Sequence, residues 1–479
     1  MIRNREPLTS SGPFASGSIM GNPRFVYSLL ALACVAAVMA ADTAGGGILA
    51  ILALIAVPFV ALGCRHYDKV LLGVLLLRPV LAIVPEFSIA GQQIGIDGMV
   101  NMAVLLILSV VLVYHRPLPV TQFIFWIFAL FLLVCLVSIR LSSDPTLGIR
   151  QWIRFSGYLI YFMAAYTLAY NRSDFPNTLR RLIVSLTVLL LGMGALQMLL
   201  MLRELSPVEY VRLMFEGELE YRLDGFQDYP HTYGNMMLVC AAFLMAYAWA
   251  EKDNRLRRVL YLLAMAAISA VVVTGVRSLF VALAVMIVVG CIGAGKYRQL
   301  LVLCSIGLVL GFSTGIFQAR LSAFTDPSRA LEWNSLQDRR EIWEAVDKAI
   351  AVHPWQGYGL GSVYDFVSES PIRHSTESLG SHCDFRKFWF EAGLFGGLLF
   401  TLLWVALVFT AWYKRRTSEF SRYAGPALSS IGLAFITIAL VDSVFQDYLA
   451  MSVVWFAFGA FMGATTKSRE SSLAGTASG

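Results

Sequence analysis

"LFGGLLFTLLWVALVFTAW" runs from Leu394 to Trp412 without one ionisable side chain. Spanning the hydrocarbon core of a bilayer takes roughly 17–25 apolar residues in a helix, because every backbone polar group must be satisfied within the segment. The run has that length, and Lys414, Arg415 and Arg416 follow it after Tyr413. Runs of the same kind recur at Phe25–Ala41, Ile48–Gly63, Met99–Tyr114, Leu182–Leu202 and Val259–Thr274. None alternates with period two, as the strands of a membrane barrel would. Of the 479 residues 58% are hydrophobic and 14% charged, against about 45–50% and about 25% in soluble domains. The expected fold is all-α: a polytopic integral membrane protein with about 12–14 transmembrane helices.

Fourteen spans are expected, near 25–41, 48–64, 70–84, 99–114, 123–139, 153–170, 182–202, 234–250, 259–275, 279–294, 300–316, 391–413, 425–441 and 449–465. Arg78-Pro79 interrupts the third, and the 140–152 region reads either way. With the N-terminus inside, more than half of the 37 Lys+Arg fall on the cytoplasmic side, including Arg180, Arg181, Arg255, Arg257, Arg258 and Lys414–Arg416. The short outer loops 42–47, 85–98 and 442–448 carry none, and this asymmetry sets the orientation. The organisation expected is a cytoplasmic polar segment 1–24, a transmembrane domain 25–465, one large helical extracytoplasmic loop 317–390 and a cytoplasmic tail 466–479. No cleavable signal is visible, since 25–41 is long enough to remain as a span. Six of the seven cysteines lie in apolar runs and only Cys383 in a loop, which suggests neither a disulfide framework nor a metal cluster. The net charge of +6 follows from topology and does not suggest a nucleic-acid partner.

The polar weight lies outside. "NSLQDRREIWEAVDKAIAVHP" has a helix-capping signal at Ser335 and Asp338, and Ile342, Val346, Ala349 and Ile350 share one face. Pro354 ends that helix at His353. Gly357, Gly359 and Gly361 follow at alternate positions, either as a tight turn approaching another surface or as a plain connector. His374 and His382 lie eight residues apart, and a long helix from Cys383 to Arg416 puts His382 at its outer mouth, with Asp384 beside it and Glu391 near the interface. An imidazole there is a general base suited to neutral pH or a solvated loop histidine. Arg222 precedes a membrane re-entry, and Arg277 stands in a tight turn between two apolar runs. A guanidinium at that depth either holds phosphate bidentately or snorkels to the interface.

Taken in order, these pieces resemble the O-antigen ligase and Wzy polymerase superfamily, whose fold is GT-C-like. They are Arg222, Gly225 and Pro230; Thr274-Gly275-Val276-Arg277; Arg339 and Trp343; His353-Pro354, Gly357 and Gly359; then His382, Glu391, Gly393 and Gly396. Two positions depart from the family's common asparagine, at Cys383 and His231. The resemblance implies a glycosyltransferase that moves a glycan from undecaprenyl diphosphate to an acceptor hydroxyl at the outer face of the inner membrane. His382 is then the catalytic base and Arg222, Arg277 and Arg339 hold the diphosphate. His374, Asp384, Glu391, Gly357 and Gly359 support the site or bind the acceptor. Direct displacement inverts the anomeric centre. No cofactor or metal is expected, since no Asp-x-Asp pair stands in the outer loops. The glycine turn and its preceding helix are expected to form a lid over a lipid-headgroup cleft. The expected partners are the lipid-linked oligosaccharide, membrane lipid, and flippase and chain-length-regulator proteins. The favoured function is polymerisation of an exopolysaccharide or O-antigen. The alternatives are ligation to lipid A core and, from another class, a lipid-linked oligosaccharide flippase.

Overall fold

The computed structural model describes residues 66–81, 87–89, 92–94, 108–109, 112, 117–202, 213–215, 218–220, 223–227, 229–313, 334–369 and 382–477. The expected spans 25–41 and 48–64, most of 99–114, and the candidate residues Arg222 and His374 lie outside them. The chain forms two compact units, one of Met1–Leu77 with Val84–Arg116 and one of Arg78–Ile83 with Pro117–Gly479. In the first, Phe87–Ile89 (β1) pairs antiparallel with Gln92–Ile94 (β2). Helix α1, Tyr67–Leu81, passes from the first unit into the second at Arg78.

The second unit is a helical bundle. Its helices are α2 (Phe123–Ser138), α3 (Pro145–Asn171), α4 (Phe175–Leu202), α5 (Pro230–Ala250), α6 (Asn254–Val273), α7 (Arg277–Ala294), α8 (Tyr297–Ser313), α9 (Asn334–Val352), α10 (Val363–Glu369), α11 (Asp384–Tyr413), α12 (Glu419–Ala439) and α13 (Tyr448–Ala477). A second hairpin, Leu213–Phe215 (β3) with Glu218–Glu220 (β4), sits in a connection and builds no core sheet. Among the described residues seven helices, α2, α4, α5, α6, α7, α11 and α13, are long and apolar enough to cross a membrane. The protein is an all-α, multi-pass membrane protein.

Local chemistry sets the helix ends. Asp144 caps α3 by accepting from the Leu147 amide at 3.0 Å, and Pro145 occupies the first helical position, so the ambiguous 140–152 region resolves into a turn and the start of α3. Ser418 and Ser421 form a reciprocal capping box at the start of α12. Gly295 closes α7 in the left-handed conformation. At the C-terminus α13 runs on to Ala477, past the expected end of the span, because its polar residues still favour helix and Tyr170 hydrogen-bonds Glu470.

Two helices occupy the centre: the apolar windows of α5 and α13 are 94% and 89% buried, against 28% for α6. A helix apolar on all sides belongs in such a position. Small residues let α13 lie against α3, since a Cβ on Gly459 or Gly463 would stand 2.1 or 2.2 Å from the Phe162 or Tyr166 carbonyl oxygen. Aromatic rings fill the interior, and Phe445 is central among them. Its centroid lies 5.0 Å from Phe155, 5.1 Å from Phe400, 5.6 Å from Phe388 and 5.9 Å from Phe131.

The two ends of the bundle differ. One gathers the cationic connections: Arg180 pairs with Glu251 at 2.8 Å, Lys414 donates to Gln122 at 3.2 Å, and Lys252 lies 3.8 Å from Glu419. The other gathers α9, α10, the N-terminal end of α11, the Thr274–Arg277 turn and the α12–α13 loop.

Candidate active site

The site is organised by the α12–α13 loop, Leu440 to Asp447. Phe445 plugs that loop into the aromatic core. The Asp384 carboxylate, fully buried at the start of α11, accepts from the Val444 and Phe445 amides, each at 2.8 Å. Asp447 caps α13 by accepting from the Ala450 amide at 3.2 Å and also accepts from Asn235 Nδ2 at 2.8 Å. Asp442 precedes these anchors by two residues, and its own amide donates to the Ile438 carbonyl at the end of α12, at 2.7 Å.

Three elements converge on Asp442. His231, in the first turn of α5, places Nε2 3.0 Å from Asp442 Oδ2. His382, just before α11, places Nδ1 3.7 Å from Asp442 Oδ1. Arg339, near the start of α9, donates from Nη1 to the Val441 carbonyl at 2.7 Å. Burial pushes the Asp442 carboxyl up, but His231 and His382, with the Arg339 guanidinium, outweigh it and hold the group well below the usual carboxylate range. The constellation is therefore an anionic carboxylate between two imidazoles with a guanidinium alongside. It can orient an imidazole and balance charge on one that gains a proton.

His382 has φ +46°, and among the described residues only Phe226, at +60°, is another non-glycine with positive φ. Strain of this kind is retained where the surroundings over-determine it, often at functional sites. Here the surroundings are the buried N-terminus of α11 and the loop beneath it. Its Nδ1 is the ring nitrogen turned toward Asp442.

The glycine turn is packed into α11. That helix breaks at Ala392 and Gly393, where Gly393 has φ +66°. Into the break the turn donates its Tyr358 and Gly359 amides to the Phe390 and Glu391 carbonyls, both at 2.8 Å, while the Leu394 amide donates to the Pro354 carbonyl at 2.9 Å. Side chains are excluded: a Cβ on Gly357 would lie 2.6 Å from the Gly393 nitrogen, and one on Gly359 2.1 Å from the Ser142 nitrogen. Instead of standing over a cleft as a free lid, the turn fixes the angle at which the outer segment of α11, with His382 and Asp384, meets its inner segment. The amphipathic face of α9 does pack as its spacing indicates, with Val346, Ala349 and Ile350 buried against Val363, Val367 and Phe390. Arg386 of α11 stacks on Trp343 of α9, 4.8 Å from its centroid, and pairs with Asp347 at 2.9 Å.

The remaining expected residues separate. Glu391 is fully buried, and its counter-ion is Lys387 on the same helix at 3.8 Å, which also donates to Gln151 at 3.2 Å. Arg277 opens α7 directly after the Thr274–Val276 turn, in which Gly275 has φ +66°. A Cβ on Gly234 of α5 would meet Leu279 at 2.2 Å and the Thr274 methyl at 3.4 Å, so the Arg277 turn lies beside the first turns of the helix bearing His231. Asp442, Asp447 and Asn235 are absent from the sequence reading, and His231 entered it only as a departure. The available signal was two aspartates in the short loop "VDSVFQD", bounded by apolar helices.

The class is thus a helical, multi-pass membrane protein with a His–Asp–His and arginine constellation at one end of its bundle. Residues 262–401 match the family model Wzy_C, described as O-Antigen ligase. The match supports the O-antigen ligase and Wzy polymerase superfamily, and with it a glycan-handling function. Its span includes Arg277, Arg339, the glycine turn, His382 and Glu391; His231 and Asp442 lie beyond it. A search of curated proteins found no match.

Proposed function

We propose that the protein is a metal-independent, inverting glycosyltransferase of the inner membrane, with both termini cytoplasmic. It moves a growing glycan from undecaprenyl diphosphate to a hydroxyl of another lipid-linked repeat unit. The observation that carries this reading is the convergence of His382, His231 and Arg339 on Asp442, at the end of the bundle opposite its cationic connections. His382 Nε2 takes the proton of the acceptor hydroxyl as its oxygen bonds to the anomeric carbon. The bond from that carbon to the phosphate oxygen breaks, and its electron pair leaves with the diphosphate. Arg222, Arg277 and Arg339 bind this leaving group and stabilise its charge. Asp442 orients His382 and balances the imidazolium that forms.

The test is transfer from purified lipid-linked repeat units in detergent, with chelator present. General-base assistance is worth about 10²–10⁴-fold, so His382→Ala is expected to lose that much while still binding donor. His374→Ala is expected to lose less, depending on the acceptor. An active His382→Ala with an inactive His374→Ala moves the base to His374, and a requirement for added divalent metal removes the metal-free mechanism. Long chains on the carrier support polymerase. Attachment to lipid A core instead makes the protein a ligase, and absence of any transfer favours the flippase reading.

A further inference from the structure

Arg78 stands in an apolar helix and takes no part in the constellation around Asp442. It is 3% exposed. Its Nη1 donates to Ser452 at 3.2 Å and to Tyr161 at 3.5 Å, and its guanidinium carbon lies 3.1 Å from the centroid of the Tyr448 ring. No carboxylate is among these contacts, and Nη2 is buried without a hydrogen-bond partner among the described residues. Enclosed by hydroxyls and a ring face, this guanidinium lacks, among the described residues, the counter-ion that a buried cation requires. Two further buried polar atoms nearby make no hydrogen bond of good geometry among the described residues: Tyr448 Oη, on the ring beneath Arg78 and close to the Tyr161 hydroxyl, and Gln227 Oε1, whose amide nitrogen donates to the Pro79 carbonyl at 3.0 Å. Arg78 therefore lies just under the 440–447 loop, against the first turn of α13, with the segment that follows Arg222 beside it.

We propose that Arg78 forms a second oxyanion subsite, which takes the diphosphate headgroup of the lipid-linked acceptor. This rests on the transferase reading above. A polymerase of that kind handles two lipid diphosphates, and two headgroups at one membrane face need separate cations. Arg277 and Arg339 fall within the segment 262–401 that matches the family, whereas Arg78 lies outside it. Nη2 of Arg78 and the Tyr448 hydroxyl supply the donors that phosphate oxygens accept, and Gln227 Oε1 is an acceptor for a hydroxyl of the attached sugar.

The experiment counts undecaprenyl diphosphate bound to the full-length protein in detergent by native mass spectrometry. Two equivalents are expected for the wild type. Arg78→Gln is expected to weaken one of them by about tenfold or more, Arg78→Lys by less, and Arg277→Lys to weaken the other. Tyr448→Phe keeps the ring under Arg78 and removes only the hydroxyl, so it is expected to weaken the same equivalent as Arg78→Gln. Thermal stability without lipid separates binding from structure: removing an unpaired buried cation is expected not to lower the midpoint. A lowered midpoint with both equivalents retained overturns the proposal. The same oxyanion chemistry could come from bulk phospholipid or free pyrophosphate. Displacement of the Arg78-dependent equivalent by phosphatidylglycerol or inorganic pyrophosphate, at matched concentration, also overturns it. Wild-type transfer measured in parallel separates the two failures. Transfer with a single equivalent indifferent to Arg78 defeats this inference alone, whereas no transfer defeats the reading on which it rests.

Discussion

Asp442 touches both imidazoles, and the loop that carries it also fastens the bundle end. Replacing it with asparagine keeps the volume and removes the charge. Asp442→Asn is expected to cut transfer by about tenfold to a hundredfold, a part of the full general-base contribution, through kcat with little change in KM for the donor. A fall in KM-dependent binding alone, with kcat intact, would assign Asp442 to the donor instead. Its neighbour Asp447 gives a pH signature. Burial pushes that carboxyl up to about 6, despite the Asn235 amide and the α13 amides that favour its charge. A raised folded value means the folded state prefers the protonated acid. That stabilisation is full below the ordinary value near 3.8 and is lost as pH rises through about 6. The melting midpoint in detergent should rise as pH falls from about 7 toward 5. Asp447→Asn should flatten this rise by the share that Asp447 contributes and be no less stable at pH 7.5, because asparagine also caps a helix. An unchanged slope in the variant would place the titration elsewhere. The sequence revealed His382 through its motif order but not its partner, because an aspartate sixty residues further on in a short loop carries no spacing signal. Only the fold of α11 against the 440–447 loop brings the two together.

At the scale of elements, α11 was legible in length and place, but its break was not. Gly393 reads as one more glycine in a membrane helix, where glycine is common. In the structure its positive φ and the Trp355 carbonyl make it irreplaceable, since a Cβ would stand 2.0 Å from that oxygen. Gly393→Ala is expected to cost on the order of 3–5 kcal/mol and to abolish transfer by misdirecting the outer segment of α11. The control is Gly192 in α4, where a Cβ meets nothing within 4 Å. Gly192→Ala is expected to be neutral or stabilising by up to about 1 kcal/mol. Equal melting midpoints for the two variants would show that the break is not obligatory. The helix after Asn334 was readable because its apolar spacing matches the face it buries. The docking of the glycine turn was not, since alternate glycines state permissiveness and leave the receiving surface unnamed.

For the whole molecule, charge and geometry agree on polarity. The apolar runs gave the helices of the bundle, and the basic connections between them, at Arg180–Glu251 and Lys414–Gln122, meet at one end. Helix α6 carries this polarity over its own length: Arg255, Arg257 and Arg258 stand at its start, and the Thr274–Arg277 turn follows its end. A helix of that length is long enough to cross the hydrocarbon core, so on the proposed topology the positive start and the candidate site are expected on opposite sides of the membrane. The positive-inside rule assigns the basic side to the cytoplasm. A reporter active only outside the cytoplasm is therefore expected to be active when fused after Ser368, which lies in α10 at the same end of the bundle as the candidate site, and silent when fused after Arg258. Reversed signals at both points would put the His–Asp–His constellation in the cytoplasm, where a glycan already carried across the membrane could not reach it. Activity at both would mean that α6 does not span, and Arg277 would then lie on the same side as the arginines at the start of α6.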